Sequence, residues 1–359
     1  MLKIKSSARG PCDSNATEIA ENQVSRDAWW PSRRKVGSAV RGRPEKSPGS
    51  TGFSPERPLT EYPFESRWFD NDGFRQHYLD QGRGEPVLMV HGNPSWSYFW
   101  RHLVAALQDG HRCVVPDHIG MGLSDRPAEA AYPYSAARRV EDLDRLVDFL
   151  VGRKGLPDRG WTLMAHDWGG PIGLAWAQRH PGVVARLVML NTGVLPWPPA
   201  YRLPWFLRFI RDWRSAAWFV DRTNLFTLAA ARFGAIRPLP PAVRRAYIAP
   251  YARRRHRLAV TRFVQDIPLA ATDASWDVLH DGARTATGLP LFIGWGERDP
   301  VFNGLVLDQW LHRFPDAVVQ RYPNAGHYVL EDAADDLIPR IRSFLDAEHH
   351  ASLPRQEEI

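Results

Sequence analysis

From about Tyr62 onward, short apolar runs alternate with amphipathic stretches. Val87-Leu-Met-Val-His91, Arg112-Cys-Val-Val-Pro116, Trp161 to His166, Arg186 to Asn191, Pro290 to Trp295 and Val318 to Tyr322 each have the length of a strand. Most are apolar at successive positions rather than alternating, which is the pattern of strands covered on both faces. Between them the period changes. Residues Ser135 to Val151 carry Val140, Leu143, Leu146, Val147 and Leu150 at the i, i+3, i+4 spacing of one buried helical face. Further helices are expected over Ser97 to Leu107, from about Gly169 to His180, and from Ala333 to Phe344. Ahead of them, Arg67 to Asp70 and Phe74 to Leu79 flank Asn71-Asp72-Gly73, a tight-turn signal between two strands. Strands alternating with helices predict an α/β fold, a mostly parallel central sheet with helices on both faces.

The pattern lapses in two long stretches. Residues 1–58 are rich in Ser, Pro, Gly and Arg without periodicity and are expected to be a disordered basic N-terminal extension. Such a tail reads as a non-functional extension, a mis-assigned start or a basic tether for an anionic surface, and its charge alone specifies no partner. The second lapse, 195–279, has no comparable strands; it holds Trp205, Trp213, Trp218 and Trp276, many arginines, and helical stretches broken by Pro238, Pro240, Pro241 and Pro250. It is expected to be a helical cap inserted between core segments 59–194 and 280–346, with 347–359 as a C-terminal tail.

Charge and composition narrow the function. The 359-residue chain has a net charge of +6. The excess lies in the tail: residues 1–58 hold 11 Lys/Arg and 6 Asp/Glu, leaving 35 basic and 34 acidic residues beyond it. A near-neutral folded part argues against a nucleic-acid role, and Arg253-Arg-Arg-His-Arg257 reads as a solvated helix face. Two cysteines cannot make a disulfide framework, and Cys113 reads as a core residue. No apolar window is long enough to span a membrane and no secretory h-region opens the chain, so a cytoplasmic location is expected. The oligomeric state is not legible.

The chemistry centres on Leu163-Met-Ala-His-Asp167-Trp168-Gly-Gly170, a buried strand breaking sharply into a helix. This is the context of a nucleophile elbow, but Asp167 occupies the nucleophile position and Ala165 replaces the first glycine. A carboxylate attacks without a base, which favours displacement at saturated carbon. His91-Gly-Asn93-Pro94 follows the first buried strand, Asp299 follows the late strand in Gly294-Trp-Gly-Glu-Arg-Asp-Pro300, and His327 follows the last strand. Sites on open parallel sheets assemble at these carboxyl ends. The order nucleophile 167, acid 299, base 327 is that of α/β-hydrolases. Asn93 reads equally as a turn residue before Pro94, and Asp117, Asp125 and Asp142 read as turn, cap or solvated-face residues.

His91-Gly-Asn-Pro-Ser-Trp-Ser-Tyr98, Pro116-Asp-His-Ile-Gly-Met-Gly-Leu-Ser-Asp-Arg-Pro127, His166-Asp-Trp-Gly-Gly170 and Gly326-His-Tyr-Val-Leu-Glu-Asp332 resemble haloalkane dehalogenases, in the subfamily with an Asp–His–Asp triad and an Asn–Trp halide pair. The chain is also similar to β-lactone decarboxylases of bacterial long-chain olefin synthesis. The match covers roughly Tyr62 to Leu345. It implies Asp167 as nucleophile, His327 as the base that activates water and Asp299 as its orienting acid, with Glu297 the nearest rival. No carboxylate lies between Asn191 and Ala200, where a related subfamily places its acid. Asn93 and Trp168 would bind the leaving halide through side-chain N–H groups and the oxyanion through backbone N–H groups. The resemblance implies a small hydrophobic substrate, a haloalkane or a β-lactone, and no cofactor or metal. Hydrolytic dehalogenation is the first expectation and cis-β-lactone decarboxylation the alternative. Epoxide hydrolysis comes third and would draw on Tyr201, Tyr247 or Tyr251 as ring-oxygen acids. If Arg253 to Arg257 rim the entrance, anionic substrates would be favoured.

Overall fold

The computed structural model describes residues 59–267 and 282–352, with Phe53, Pro55 and Leu279. The expected N-terminal extension, most of 268–281 and the end of the C-terminal tail lie outside the described residues.

The first two strands, β1 (Arg67–Asn71) and β2 (Phe74–Gly82), form an antiparallel hairpin. Asp72 and Gly73 both sit at positive φ, as a two-residue turn matched to the twist of its strands requires. Then follow β3 (Glu85–Val90), β4 (His111–Pro116), β5 (Trp161–Asp167), β6 (Val184–Thr192), β7 (Leu291–Gly296) and β8 (Val318–Tyr322). They build one eight-stranded sheet in the order β1-β2-β4-β3-β5-β6-β7-β8. Only the β1–β2 and β2–β4 pairs are antiparallel. All seven residues of β5 are buried, the reason its sequence shows no alternation.

Helices α1 (Arg101–Leu107), α2 (Ala136–Lys154) and α3 (Gly169–Arg179) connect the early strands. A 3-10 turn, Ser97–Trp100, replaces the first turn of the helix expected from Ser97. The side chain of Ser135 caps α2 by accepting from the Arg138 N–H, and Gly155 closes the helix in the left-handed conformation. Between β6 and β7 come α4 (Trp205–Asp212), α5 (Arg214–Thr223), α6 (Leu225–Phe233), α7 (Pro241–Ile248) and α8 (Leu258–Gln265), the inserted helical cap. The core resumes with β7, α9 (Gly304–Arg313), β8, α10 (Val329–Asp332) and α11 (Ala334–Ser352). The sequence reading left out α9, and α11 runs past the boundary expected at 346. In the core, α2 packs against α3 and α1 against α11.

A correction concerns three aspartates. Asp117, Asp125 and Asp142 are fully buried rather than solvated. Asp117 accepts from the backbone N–H groups of Ser97 (2.7 Å) and Leu123 (2.8 Å) and pairs with His77 Nδ1 at 2.8 Å. Asp125 accepts from the Arg75 N–H at 2.8 Å. Asp142 meets Tyr132 and Arg138. Asp117 and Asp142 are ringed by donors, which makes a carboxylate tolerable inside a core, and Asp125 has the Arg75 guanidinium 3.5 Å from its Oδ1.

Candidate active site

Five adjacent parallel strands, β3, β5, β6, β7 and β8, deliver one polar residue each to the same edge of the sheet. Asn93 follows β3, Asp167 ends β5, Asn191 lies in β6, Asp299 follows β7 and His327 follows β8. Four of these were expected from the sequence, and the topology brings them together.

Asp167 occupies the sharp strand-to-helix turn with φ 53°, strained backbone for a residue with a Cβ. The turn closes because its neighbours lack side chains. A Cβ on Gly92 would lie 2.0 Å from Asp167 Oδ1, and one on Gly169 would lie 2.0 Å from the Val90 carbonyl oxygen. The Asn93 backbone N–H donates to Asp167 Oδ1 at 2.7 Å, and the Trp168 N–H also binds this carboxylate. α3 begins just beyond and adds the positive end of its dipole. Burial nevertheless dominates, and raises the carboxyl from 3.8 to about 6; His327 and the two N–H groups oppose it.

His327 Nε2 lies 3.6 Å from Asp167 Oδ2, and its Nδ1 lies 2.7 Å from Asp299 Oδ2. Burial disfavours the imidazolium, but the charge and hydrogen bond of Asp299, with Asp167 behind, outweigh it and raise the His327 pKa. Asp299 is buried and anchored, its Oδ1 accepting from the Val301 (2.7 Å) and Phe302 (3.1 Å) N–H groups. Glu297, the rival acid, is exposed and pairs with Arg321 at 3.5 Å.

Three supports escaped the sequence reading. Asn191 donates from Nδ2 to Asp299 Oδ2 and to the Gly296 carbonyl, both at 3.0 Å, and accepts from the Gly296 N–H at 2.8 Å. It lies at the end of β6, the position where a related subfamily places its acid, so its place in the chain is the signal. His166 stacks on Phe99 at 4.1 Å, and its Nε2 meets the His327 carbonyl oxygen at 2.9 Å. Burial holds it well below 6.5, and it stays neutral. His118 donates its backbone N–H to His91 Nε2 at 3.1 Å, so His91 carries its proton on Nδ1 and donates to the Gly92 carbonyl at 2.8 Å. That chain and Asp117 fix the His91–Ser97 loop that presents the Asn93 N–H.

Above these groups lies a cavity of about 500 Å³. Asn93, Asp167 and His327 form its polar floor, and the cap supplies apolar walls such as Leu207, Ile210, Phe226 and Val264. Trp168 borders it and packs against Phe263. The Asn93 amide donates one hydrogen to the Val260 carbonyl of the cap at 3.1 Å. Two expectations fail here. Arg253 to Arg257 do not border the cavity; Arg254 pairs with Asp221, and Arg257 donates to backbone carbonyls, including those of Tyr251 and Asp221. Tyr201, Tyr247 and Tyr251 do not border it either, their hydroxyls being directed to the Val301 carbonyl, Glu331 and the Ser95 carbonyl. Among the described residues no group of His, Cys, Asp and Glu is arranged to hold a metal ion.

Fold and site together define an α/β-hydrolase enzyme, and the chain belongs to that family: the alpha/beta hydrolase fold family matches residues 85–334. Among its relatives is the cis-3-alkyl-4-alkyloxetan-2-one decarboxylase of Xanthomonas campestris pv. campestris, 46% identical over 76% of this chain and 93% of the relative. The protein of the same name from Shewanella oneidensis is 41% identical over 80% of this chain and 90% of its own. Haloalkane dehalogenase 2 of Mycobacterium tuberculosis is 34% identical over 81% and 98%. Among solved structures, the haloalkane dehalogenase DbeA from Bradyrhizobium elkani superposes with a TM-score of 0.71 at 23% identity, covering 80% of this chain and all of that one. Of these curated relatives, the two decarboxylases are more similar to the chain than the dehalogenase is.

Proposed function

We propose that the protein is a cis-β-lactone decarboxylase, converting a 3,4-dialkyl-oxetan-2-one to an alkene and CO2. The observation that carries this reading is the 46% and 41% identity to two decarboxylases over three quarters or more of the chain, against 34% to the dehalogenase. The cavity supports it, with Asn93, Asp167 and His327 as its polar floor and apolar walls suited to alkyl chains.

Asp167 attacks the ring carbon that bears the ring oxygen, breaking that C–O bond. The ring opens to a free carboxylate, and the alkyl carbon becomes an ester of Asp167. The bond between the carboxylate and its α-carbon then breaks, its electrons forming the alkene as the Asp167 carboxylate departs. CO2 leaves, and no water or oxidant is consumed. The Asn93 and Trp168 N–H groups hold the Asp167 carboxylate in place as it reacts. His327, braced by Asp299, faces the reacting carboxyl and offsets the charge released on the ring oxygen.

Dehalogenation uses the same first step and remains the second reading, because Asn93 and Trp168 both border the cavity. It differs in needing water. Purified protein is to be offered a cis-dialkyl β-lactone and a panel of bromoalkanes, following CO2 and bromide. CO2 without bromide is expected; bromide without CO2 would reverse the assignment. His327→Ala separates the routes independently. A hydrolytic enzyme lacking its base accumulates the alkyl ester on Asp167, detectable by mass spectrometry, whereas the decarboxylating ester collapses without water and turnover falls with no ester trapped.

A further inference from the structure

The folded part is near neutral only as a sum. Residues 195–279 contain 14 arginines, no lysine, five aspartates and no glutamate. The rest of the chain beyond residue 58 therefore has 21 basic and 29 acidic residues, so the charge is segregated, with the cap positive and the remainder acidic.

Apolar exposure is segregated in the same direction. Of the twelve large hydrophobic side chains exposed among the described residues, nine lie between Trp205 and Ile236. Trp205, Trp213, Trp218, Phe219 and Phe233 are each more than half exposed. On α4 and the residue that caps it the aromatics recur at 205, 209 and 213, a stripe opposite the buried Leu207 and Ile210, and Phe209 and Trp213 lie 5.5 Å apart. Exposed arginines interleave with them: Arg208, Arg214, Arg222 and Arg232. The Arg222 guanidinium lies over the Trp218 ring at 4.9 Å, and that of Arg232 over Phe233 at 5.0 Å. Trp205, Leu225 and Phe233 are exposed and also line the cavity, so the cavity opens within this apolar surface.

Tryptophan and phenylalanine projecting among arginines have the composition of helices that lie in the headgroup region of a bilayer. The aromatic rings enter the acyl boundary while the guanidinium groups meet anionic headgroups. No described helix is long and apolar enough to cross a membrane. We infer that α4 to α6 form a docking face for an anionic lipid surface, seating the protein on the membrane with the cavity mouth toward the lipid. Charge complementarity selects this occupant: a second copy of the chain would bring one arginine-rich face against another. A substrate with two alkyl chains, as in the proposed reaction, would pass from lipid to Asp167 without crossing water. The docking itself does not depend on that reaction.

The test uses the full-length protein with vesicles of phosphatidylcholine alone or mixed with phosphatidylglycerol. Sedimentation with the mixed vesicles is expected, with weaker binding to the neutral ones and at high salt. Tryptophan fluorescence should be quenched by lipids brominated near the headgroup. The Trp213→Ser/Trp218→Ser/Phe219→Ser variant changes exposed residues that do not border the cavity. It should retain its circular dichroism spectrum and bind at least ~10-fold more weakly. Unchanged binding by this variant would assign attachment to charge alone, including the basic residues before 59, and overturn the proposal. So would failure of the native protein to bind, or wild-type self-association in light scattering that the variant abolishes. These readouts need no substrate and stand apart from the decarboxylase assay.

Discussion

The sheet edge and the cap meet at one cavity but handle polarity in opposite ways. At the sheet edge, both carboxylates are buried and held by hydrogen bonds: Asp299 by Asn191, Val301 and Phe302, Asp167 by Asn93 and Trp168. In the cap, most arginines are at the surface and the cavity wall is apolar. The difference separates two tasks. A reacting carboxylate must be placed to within tenths of an ångström, which takes a buried, over-determined network. A wall for alkyl chains needs only shape and low polarity, and can be built from short helices that leave hydrophobic residues in the open.

That contrast predicts a descending series of effects. Asp167→Ala should lower turnover by at least ~10⁴-fold, about 5 kcal/mol of barrier, with the fold intact by circular dichroism. Measurable residual turnover near the wild-type rate would break the assignment of the nucleophile. Asp117→Ala should cost about 3–5 kcal/mol in urea denaturation, because it strands two buried N–H groups and the His77 ring. A loss under 1 kcal/mol would show that the network is not needed to hold the loop.

Asp167 also carries a predicted stability signature. Its carboxyl is raised to about 6 in the fold from an ordinary 3.8, so ionisation is harder in the folded state than in the unfolded one. The folded state is therefore favoured by protonated Asp167 at low pH, and that advantage is lost as pH rises through about 6. Asp167→Asn, which suits the positive φ, should be the more stable protein above pH ~6 by about 2–3 kcal/mol, the difference shrinking below pH ~4. Equal melting temperatures at pH 8 would contradict this. Under the proposed mechanism activity has the opposite slope, because an ionised Asp167 is needed for attack: kcat/KM should climb with an apparent pKa near 6. Smaller still, Asn191→Leu should lower kcat by ~10-fold and shift the pH profile by releasing Asp299, with KM little changed. In the cap, Phe226→Ala should mainly raise KM for long-chain substrates a few-fold, since it removes apolar contact without touching the polar floor.

Much of the fold was legible because its signals are local. The run from Trp161 to His166 is apolar because β5 is covered on both faces, and Asn71-Asp72-Gly73 makes the hairpin through its own backbone preferences. α9 was passed over although Val306, Leu307 and Trp310 form its buried face. The burial of Asp117, Asp125 and Asp142 was illegible for a physical reason. An aspartate in a turn and one in a core look alike until the donors are in place, and for Asp117 and Asp125 these include groups 20 to 50 residues away in sequence. Asn191 is not legible as a site residue because it carries no charge of its own and holds the carboxylate of Asp299, 108 residues away in sequence.

The sequence by itself determined the order of the strands, the elbow that carries Asp167, and the positions of Asn93, Trp168, Asp299 and His327 beside strand ends, since each depends on short-range pattern and backbone geometry. Only the tertiary structure decided that Asp299 rather than Glu297 faces His327, that Arg253 to Arg257 and the three cap tyrosines stand away from the cavity, and that the cap's positive charge coincides with an exposed aromatic surface. Those outcomes depend on burial and on which distant groups meet across adjacent strands and helices, and no local spacing encodes that.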